Sequence, residues 1–433
     1  MQYTQQGGVE LGWEFYGPLM VIVLLVAMAV PVWVSIGLGT LGMLVWSGVL
    51  PLTLLGEAVF DGIDAFALIA VSLFILTGDV LVRTGLSTKL LDIADALTGG
   101  LRSGFGTATV LCCGFFSCIS GSDATGAAAV GRITIGRLIK ERYPPAYACA
   151  LVASGACTGI LIPPSIAYII IGLMLGISAS TLFVAAAVPG VIVMGAIMLT
   201  NVVLNRMHGY ESADGGFSAQ RVWRALVDGR YALLVPVIIV GGIYTGVFTP
   251  TEAAAVAAVT PMIVGFSQDT LKLGDVPHML ESSAKVNGVI VPLIAISLPL
   301  AQTLAALDVP QGFGGAITGL TDQNWLIILF MIDILILTGC VMEATPNIVI
   351  LSPSLLPLAQ EIGMDEVQFC IVMITALGVG FITPLLGLNL FVVSGLTGTS
   401  VLPIAARAVP YVLAMLAIVL LLAFIPQLSL RAV

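Results

Sequence analysis

Charge is scarce in this 433-residue chain. Asp, Glu, Lys and Arg together supply 9% of it, against 59% hydrophobic residues and a mean hydropathy of +1.12. A water-soluble domain of this size does not tolerate that balance, so soluble enzymes and nucleic-acid-binding proteins are excluded. Histidine is nearly missing: it stands only at 208 and 278, away from Cys112, Cys113 and Cys118, the densest group of the seven cysteines. A zinc-type site and a Ser–His hydrolase are therefore not expected, and the cysteines read as small, soft packing residues. Apolar and polar residues do not alternate, which argues against a β-barrel. No Gly-rich loop ends in Lys followed by Ser or Thr, so the chain is not expected to hydrolyse ATP itself. The first 16 residues hold no Lys or Arg and lack the basic start of a cleavable signal peptide, leaving insertion to the first spanning helix. Runs of like charge are absent too, so the formal net charge of −9 points to no charged partner.

What remains is a series of long apolar segments. Residues 18–38, 64–82, 182–204, 231–248 and 410–425 are each long enough to cross an apolar layer of ~30 Å as helices. The chain thus reads as an all-α polytopic membrane protein in a lipid bilayer. Arg132, Arg137, Lys140 and Arg142 share one loop, and Arg206, Arg221, Arg224 and Arg230 another. Basic loops are retained in the cytoplasm, so both are predicted inside, with two spans, 145–178 and 182–205, between them.

Slid along itself by 221 residues, the chain partly repeats. Cys149 falls on Cys370, Gly159 on Gly380, Pro163 on Pro384, Val188 on Val409 and Pro189 on Pro410. The first basic loop falls on LAQEIG at 358–363, where no base is left. Loops of unlike charge at equivalent places are what two inverted copies would have. Crossings agree, because inversion needs an odd number and each copy offers five. The first copy has two in 18–52, one at 64–82, then 145–178 and 182–205. The second has two in 231–266, one at 286–305, then 367–399 and 408–430. The least secure pair is in 18–52, where Pro31 could kink one long span instead. A Gly-rich apolar stretch in each copy, 104–131 and 326–360, reads as a re-entrant hairpin. The expected division is a first inverted repeat over 1–208, a cytoplasmic linker over 209–229 with Gly209, Gly215 and Gly216, and a second repeat over 230–433.

Each copy carries a Gly-x-x-x-Pro break inside an apolar segment: GILIPPS at 159–165 and GFITPLL at 380–386. Pro163 and Pro164 remove two successive amide donors, freeing carbonyls near Thr158 to Leu161 that could ligate a cation, and Ser165 adds a hydroxyl. In the second copy Thr383, Pro384, Gly387 and Asn389 offer the same arrangement with a side-chain amide. A lone proline in a spanning helix is most often a kink, but matched breaks in two repeats point to a transporter's binding site at the bilayer midplane. The hairpin tips are polar as well. CISGSDATG at 118–126 holds Ser120, Ser122, Asp123 and Thr125, and GCVMEATPN at 339–347 holds Glu343, Thr345 and Asn347. A carboxylate in hydrocarbon costs ~2.5 kcal/mol or more, so Asp123 and Glu343 call for a cavity, a proton or a partner, and a bound Na⁺ would serve. Ser122, Ser165, Thr383 and Asn389 are expected to converge. Of the other acids, Asp79 pairs with Arg83 four residues on, and Glu252 caps a helix after Thr249. Asp333 is left open between a structural role and a proton relay.

These motifs resemble a known family, the large membrane subunit of tripartite ATP-independent periplasmic (TRAP) transporters, of the DctM type. The resemblance spans nearly the whole chain. It rests on SLFILTG at 72–78, SGSDATGAAAVGRI at 120–133, GILIPPSIAYII and STLFVAAAVPGV within 159–191, TPTEAAAVAA at 249–258 and GFITPLLGLNLFVVSGL at 380–396. It implies an elevator-type ion transporter with two inverted-topology repeats, multi-pass in the bacterial inner membrane and not an enzyme. Such a protein would import an organic acid anion (dicarboxylate, other carboxylate or sialic acid) with Na⁺ as coupling ion and no other cofactor. Its partners would be a small four-helix membrane subunit of the DctQ type and a periplasmic substrate-binding protein. The substrate would then meet Ser122, Asp123, Thr125, Ser165, Asn347 and Asn389. Sodium would be held among Ser120, Gly121, Ser122, Gly159 and Pro163 in the first copy, and Gly339, Glu343, Thr345, Gly380 and Thr383 in the second. Two departures stand out: Met342–Glu343 where the family often has Met-Asp, and Leu385 where a second proline commonly follows. The alternative is an autonomous ion-coupled carboxylate transporter or H⁺ antiporter that needs no binding protein.

Overall fold

The structure, a computed structural model, describes all residues except 1–11, 29, 102, 212–216, 311, 313–318, 320, 322, 385–386 and 432–433. Gly215, Gly216 and Leu385 therefore lie outside the described residues. Among those described there is no strand. The first copy runs through α1 (Trp13–Ala27), α2 (Val32–Ser47), α3 (Thr53–Ile63), α4 (Ala67–Arg83), α5 (Leu86–Thr98), α6 (Gly104–Ser120), α7 (Asp123–Lys140), α8 (Pro145–Ala156), α9 (Thr158–Leu161), α10 (Ile166–Leu175) and α11 (Ala179–His208). After α12 (Ala219–Asp228) come α13 (Arg230–Tyr244), α14 (Pro250–Ser267), α15 (Val276–Ala306), α16 (Asn324–Val341), α17 (Ala344–Glu361), α18 (Glu366–Gly380), α19 (Leu388–Thr397), α20 (Val401–Phe424) and α21 (Gln427–Leu430).

Proline and glycine place the joints. Pro31 stands at the N-cap of α2 and separates it from α1, so 18–52 holds two helices rather than one kinked span. They pack against each other. Helices α3 and α4 meet at a bend of 47°. Gly62 at the end of α3 lies on the backbone of Ala295 in α15; a Cβ there would come within 2.9 Å of the Ala295 Cα. With α4 lying against α14 and α15, these helices form a wall beside the hairpins. Asp79 and Arg83 pair at 3.0 Å, and Thr249 with Glu252 forms the capping box that opens α14.

Hairpin and broken helix recur in each copy. Helices α6 and α7 are joined at Gly121, whose φ of +62° demands glycine. Helices α16 and α17 are joined through Met342 and Glu343, both extended. The segment formed by α8 and α9 meets α10 at 40° across residues 162–165. A hairpin arm of 17 or 18 residues rises about 26 Å, and so does the stretch from the start of α8 to its break. Tip and break, entering from one side, thus reach one depth.

The two copies cross near their breaks. The Cys157 thiol donates to the Gly378 carbonyl at 3.2 Å, and these residues are 221 positions apart. A residue that touches its own repeat mate lies at the pseudo-two-fold axis. Around it, α8 packs on α20 and α18 on α11, each broken helix against the last long helix of the other copy.

The basic side is tied together by two acids. Asp95 of α5, almost fully buried, accepts from Arg137 of α7 at 3.0 Å and from Arg221 of α12 at 2.7 Å. Glu211, after α11, accepts from the amides of Phe105 and Gly106 at 2.7 and 3.3 Å and from the Tyr143 hydroxyl at 2.8 Å. It caps α6, whose own N-cap residue Ser103 provides no such bond. Burial pushes the Glu211 carboxyl above its ordinary value, and the three donors pull the other way. Glu211→Ala is expected to destabilise the protein by about 1–3 kcal/mol, since it leaves buried donors unmet. Thermal unfolding in detergent reads this directly, and an unchanged midpoint would show the cap to be dispensable.

Candidate functional site

In the first copy the hairpin tip is seated on the break. A Cβ on Gly159 would lie 2.7 Å from the N and Cα of Asp123, so only glycine lets these backbones meet. Gly121 abuts the Pro164 carbonyl and Ser165, and its own carbonyl accepts from the Ile166 amide at 3.2 Å. Ser117 and Thr158 hydroxyls join the two elements at 3.1 Å. The Pro163–Pro164 peptide is cis. The carbonyls of Gly159 and Ile160 have prolines four residues on, so the helix supplies them no N–H partner.

The second copy repeats the joint with a shift. A Cβ on Gly380 would meet the carbonyl carbon of Gly339 and the oxygen of Ile336, both at 2.7 Å, and the Gly387 amide donates to the Cys340 carbonyl at 3.1 Å. Here the hairpin is held at Gly339 and Cys340, before its tip. Glu343 stays outside that joint.

The tips share a cavity of about 60 Å³. Ser120, Gly121, Ser122, Asp123 and Thr125 line it from the first tip, and Glu343 and Thr345 from the second. Ile160, Ile166 and Ala167 add the first broken helix. The opposite wall is apolar: Ile75 of α4, with Val286 and Ile290 of α15. Sequence reasoning missed this wall; Ile75 stood in a quoted motif, SLFILTG, but nothing in 276–306 singled out α15.

Not every expected residue lines this cavity. Ser165 and Asn389 are fully buried beside it, and the Asn389 amide faces Asp123 while donating to the Ala153 carbonyl at 3.4 Å. Asn347 spends its amide donor on its own hairpin, bonding the carbonyls of Met342 and Glu343 at 3.0 Å each. Pro163 is buried inside the first break. Thr383 faces a different space, a groove it shares with Asp333. Of the four residues expected to converge, Ser122, Ser165 and Asn389 gather around the first tip, and Thr383 lies apart.

The chemistry of the cluster lies in its acceptors. Asp123 Oδ2, Ser165 Oγ, Asn347 Oδ1 and Asn389 Oδ1 are buried without a hydrogen-bond partner among the described residues. Buried polar atoms in a folded protein are normally paired, and this orphan set draws on both hairpins and both broken helices. Asp123 and Glu343 both line the cavity, and among the described residues no Lys or Arg does. Hard oxygens with excess negative charge fit a small cation. An anion would enter only with that charge neutralised.

The family model of the tripartite ATP-independent periplasmic transporter, DctM component, matches residues 19–428. The isethionate TRAP transporter permease protein DctMQ of Oleidesulfovibrio alaskensis is 33% identical over 95% of this chain, which spans 66% of that relative's length. The C4-dicarboxylate TRAP transporter large permease protein DctM of Pseudomonas aeruginosa is 34% identical over 86% of this chain and 87% of its own. The 2,3-diketo-L-gulonate TRAP transporter large permease protein YiaN of Escherichia coli is 30% identical over 93% and 95%. Among solved structures, the Alcanivorax borkumensis YdaH transporter has a similar fold, with a TM-score of 0.61 at 15% identity over 86% of this chain and 88% of that one.

Proposed function

Because the chain belongs to the DctM family of tripartite ATP-independent periplasmic transporters, we propose that it moves an organic acid anion inward across the inner membrane, coupled to Na⁺, by an elevator motion. The observation that carries this reading is the orphan oxygen set at the meeting of the tips and breaks. Sodium would be held by Ser120, Ser122, Asp123 and neighbouring carbonyls in the first copy and by Glu343 and Thr345, with Thr383 at the break, in the second, and in neutralising the carboxylates it would admit the substrate anion. Elements α6–α11 and α16–α20 would move together, since backbone hydrogen bonds join each hairpin to its break. Helices α1–α4 and α13–α15 would be the fixed wall. The two bodies correspond to neither repeat alone; each draws on the repeats over 1–208 and 230–433. A carboxylate or related organic acid is the substrate class that the named relatives suggest. A small membrane subunit and a periplasmic binding protein would complete the system, and the joined name DctMQ of one relative is in keeping with the first of these.

Uptake by proteoliposomes containing all three components tests the proposal. Radiolabelled carboxylate should accumulate only with an inward Na⁺ gradient and should not with choline in its place. Equal uptake in choline would end the Na⁺ assignment. Full-rate uptake without the binding protein would support the autonomous alternative.

A further inference from the structure

Lipid poorly tolerates an unpaired carboxylate, and an exposed helix break has the same difficulty. Both occur on one face of this protein. Asp333 lies near the middle of α16, an 18-residue apolar helix, and is exposed, with no hydrogen bond or ion pair among the described residues. Around it α16, α18 and α20 form a groove of about 480 Å³ whose other described lining residues are apolar, Phe330 and Leu416 for example, apart from Thr383. Thr383 is half-buried and Pro384 exposed, whereas residues 159–165 of the first break are all buried. The groove thus leads from a carboxylate to the second break. Lipid filling it would strand both.

We infer that this groove is a hydrated access route by which Na⁺ reaches the second break, with the Asp333 carboxylate drawing the cation toward Thr383. This rests on the Na⁺-coupled reading above and adds to it a route and a residue. The carboxylate raises the local cation concentration by Coulomb attraction, which in a groove walled by low-dielectric side chains is stronger than at an open surface. Its position, exposed rather than packed, suits passage rather than tight binding. Thr383 already donates its hydroxyl to the Val379 carbonyl at 2.7 Å, which leaves its lone pairs open to a cation.

The test uses the complete reconstituted system. Asp333→Asn keeps the shape and removes the charge. The Na⁺ concentration for half-maximal uptake should rise about three- to tenfold, as expected for losing one unit charge at short range. Asp333→Cys should react with a charged, membrane-impermeant thiol reagent, against a wild-type background in which Cys118 is the one cysteine that is not buried. An Na⁺-dependent wild type with unchanged half-saturation in Asp333→Asn would overturn the inference and leave the Na⁺ reading standing. So would an unreactive Asp333→Cys, as when lipid or a partner helix fills the groove. A wild type indifferent to Na⁺ would remove the underlying reading instead.

Discussion

Gly159→Ala is expected to lower the initial uptake rate by on the order of 100-fold while leaving the protein inserted and folded. The added Cβ would lie 2.7 Å from the N and Cα of Asp123 and 2.8 Å from the carbonyl carbon of Ser122, all backbone atoms with no side chain to swing aside. The first hairpin tip must then shift on the break. A displacement of that kind separates Asp123 and Ser122 from Ser165 and Asn389, and binding constellations tolerate little of it. Gly380→Ala should act alike in the second copy, where the obstruction is the backbone of Ile336 and Gly339. Gly195→Ala provides the control: nothing lies within 4 Å of its Cβ position in α11, so uptake should stay near wild type. Uptake by Gly159→Ala matching that of Gly195→Ala would show that the close seating of tip on break has no part in transport.

Asp123→Asn should separate function from stability. In the native protein a buried oxygen of Asp123 has no partner among the described residues, and Glu343 brings a second carboxyl group to the same cavity. Replacing one of these two carboxyl groups with little change of shape takes an acid from the cavity, so the variant should unfold no more readily than wild type in Na⁺-free buffer. A cation that binds only the folded state stabilises it by about 2.7 kcal/mol at 100 times its dissociation constant. Wild type should therefore melt higher in Na⁺ than in choline, and Asp123→Asn should lose that difference. Uptake should fall by about two orders of magnitude, the equivalent of ~3 kcal/mol of lost cation binding. A variant that retains both the Na⁺-dependent melting shift and wild-type uptake would remove Asp123 from the cation site.

Much of this was legible without coordinates because two physical signals in the sequence are strong. Apolar segments of spanning length compel helices, since backbone groups in lipid must be satisfied internally. Proline and glycine at matched positions announce breaks, because one lacks an N–H and the other lacks a Cβ. The cavity's polar residues were legible for a related reason: Ser120, Ser122, Asp123, Glu343 and Thr345 stand out in otherwise apolar stretches. Glu211 and Asp95 were not, since acids near a basic loop look like solvated surface until the chain folds the linker against α5 and α6. Thr383 lines the groove with Asp333 rather than the cavity of the two tips. Its repeat position implied symmetry with the first break, but the second hairpin is gripped at Gly339 and Cys340, which turns Thr383 toward the groove of Asp333.

By itself, then, the sequence determined that the chain is helical, lies in a membrane, is duplicated, and breaks its helices at Pro163 and Pro384. Those properties follow from hydropathy, covalent backbone chemistry and a fixed shift of 221 residues, all of which act locally or by comparison. Tertiary structure alone decided which polar atoms meet, that Cys157 touches Gly378 at the axis, and that the cavity's far wall comes from α4 and α15. The reason is that cross-repeat contacts depend on how two inverted copies pack, and packing is set by side-chain shape over distances along the chain that no local pattern records.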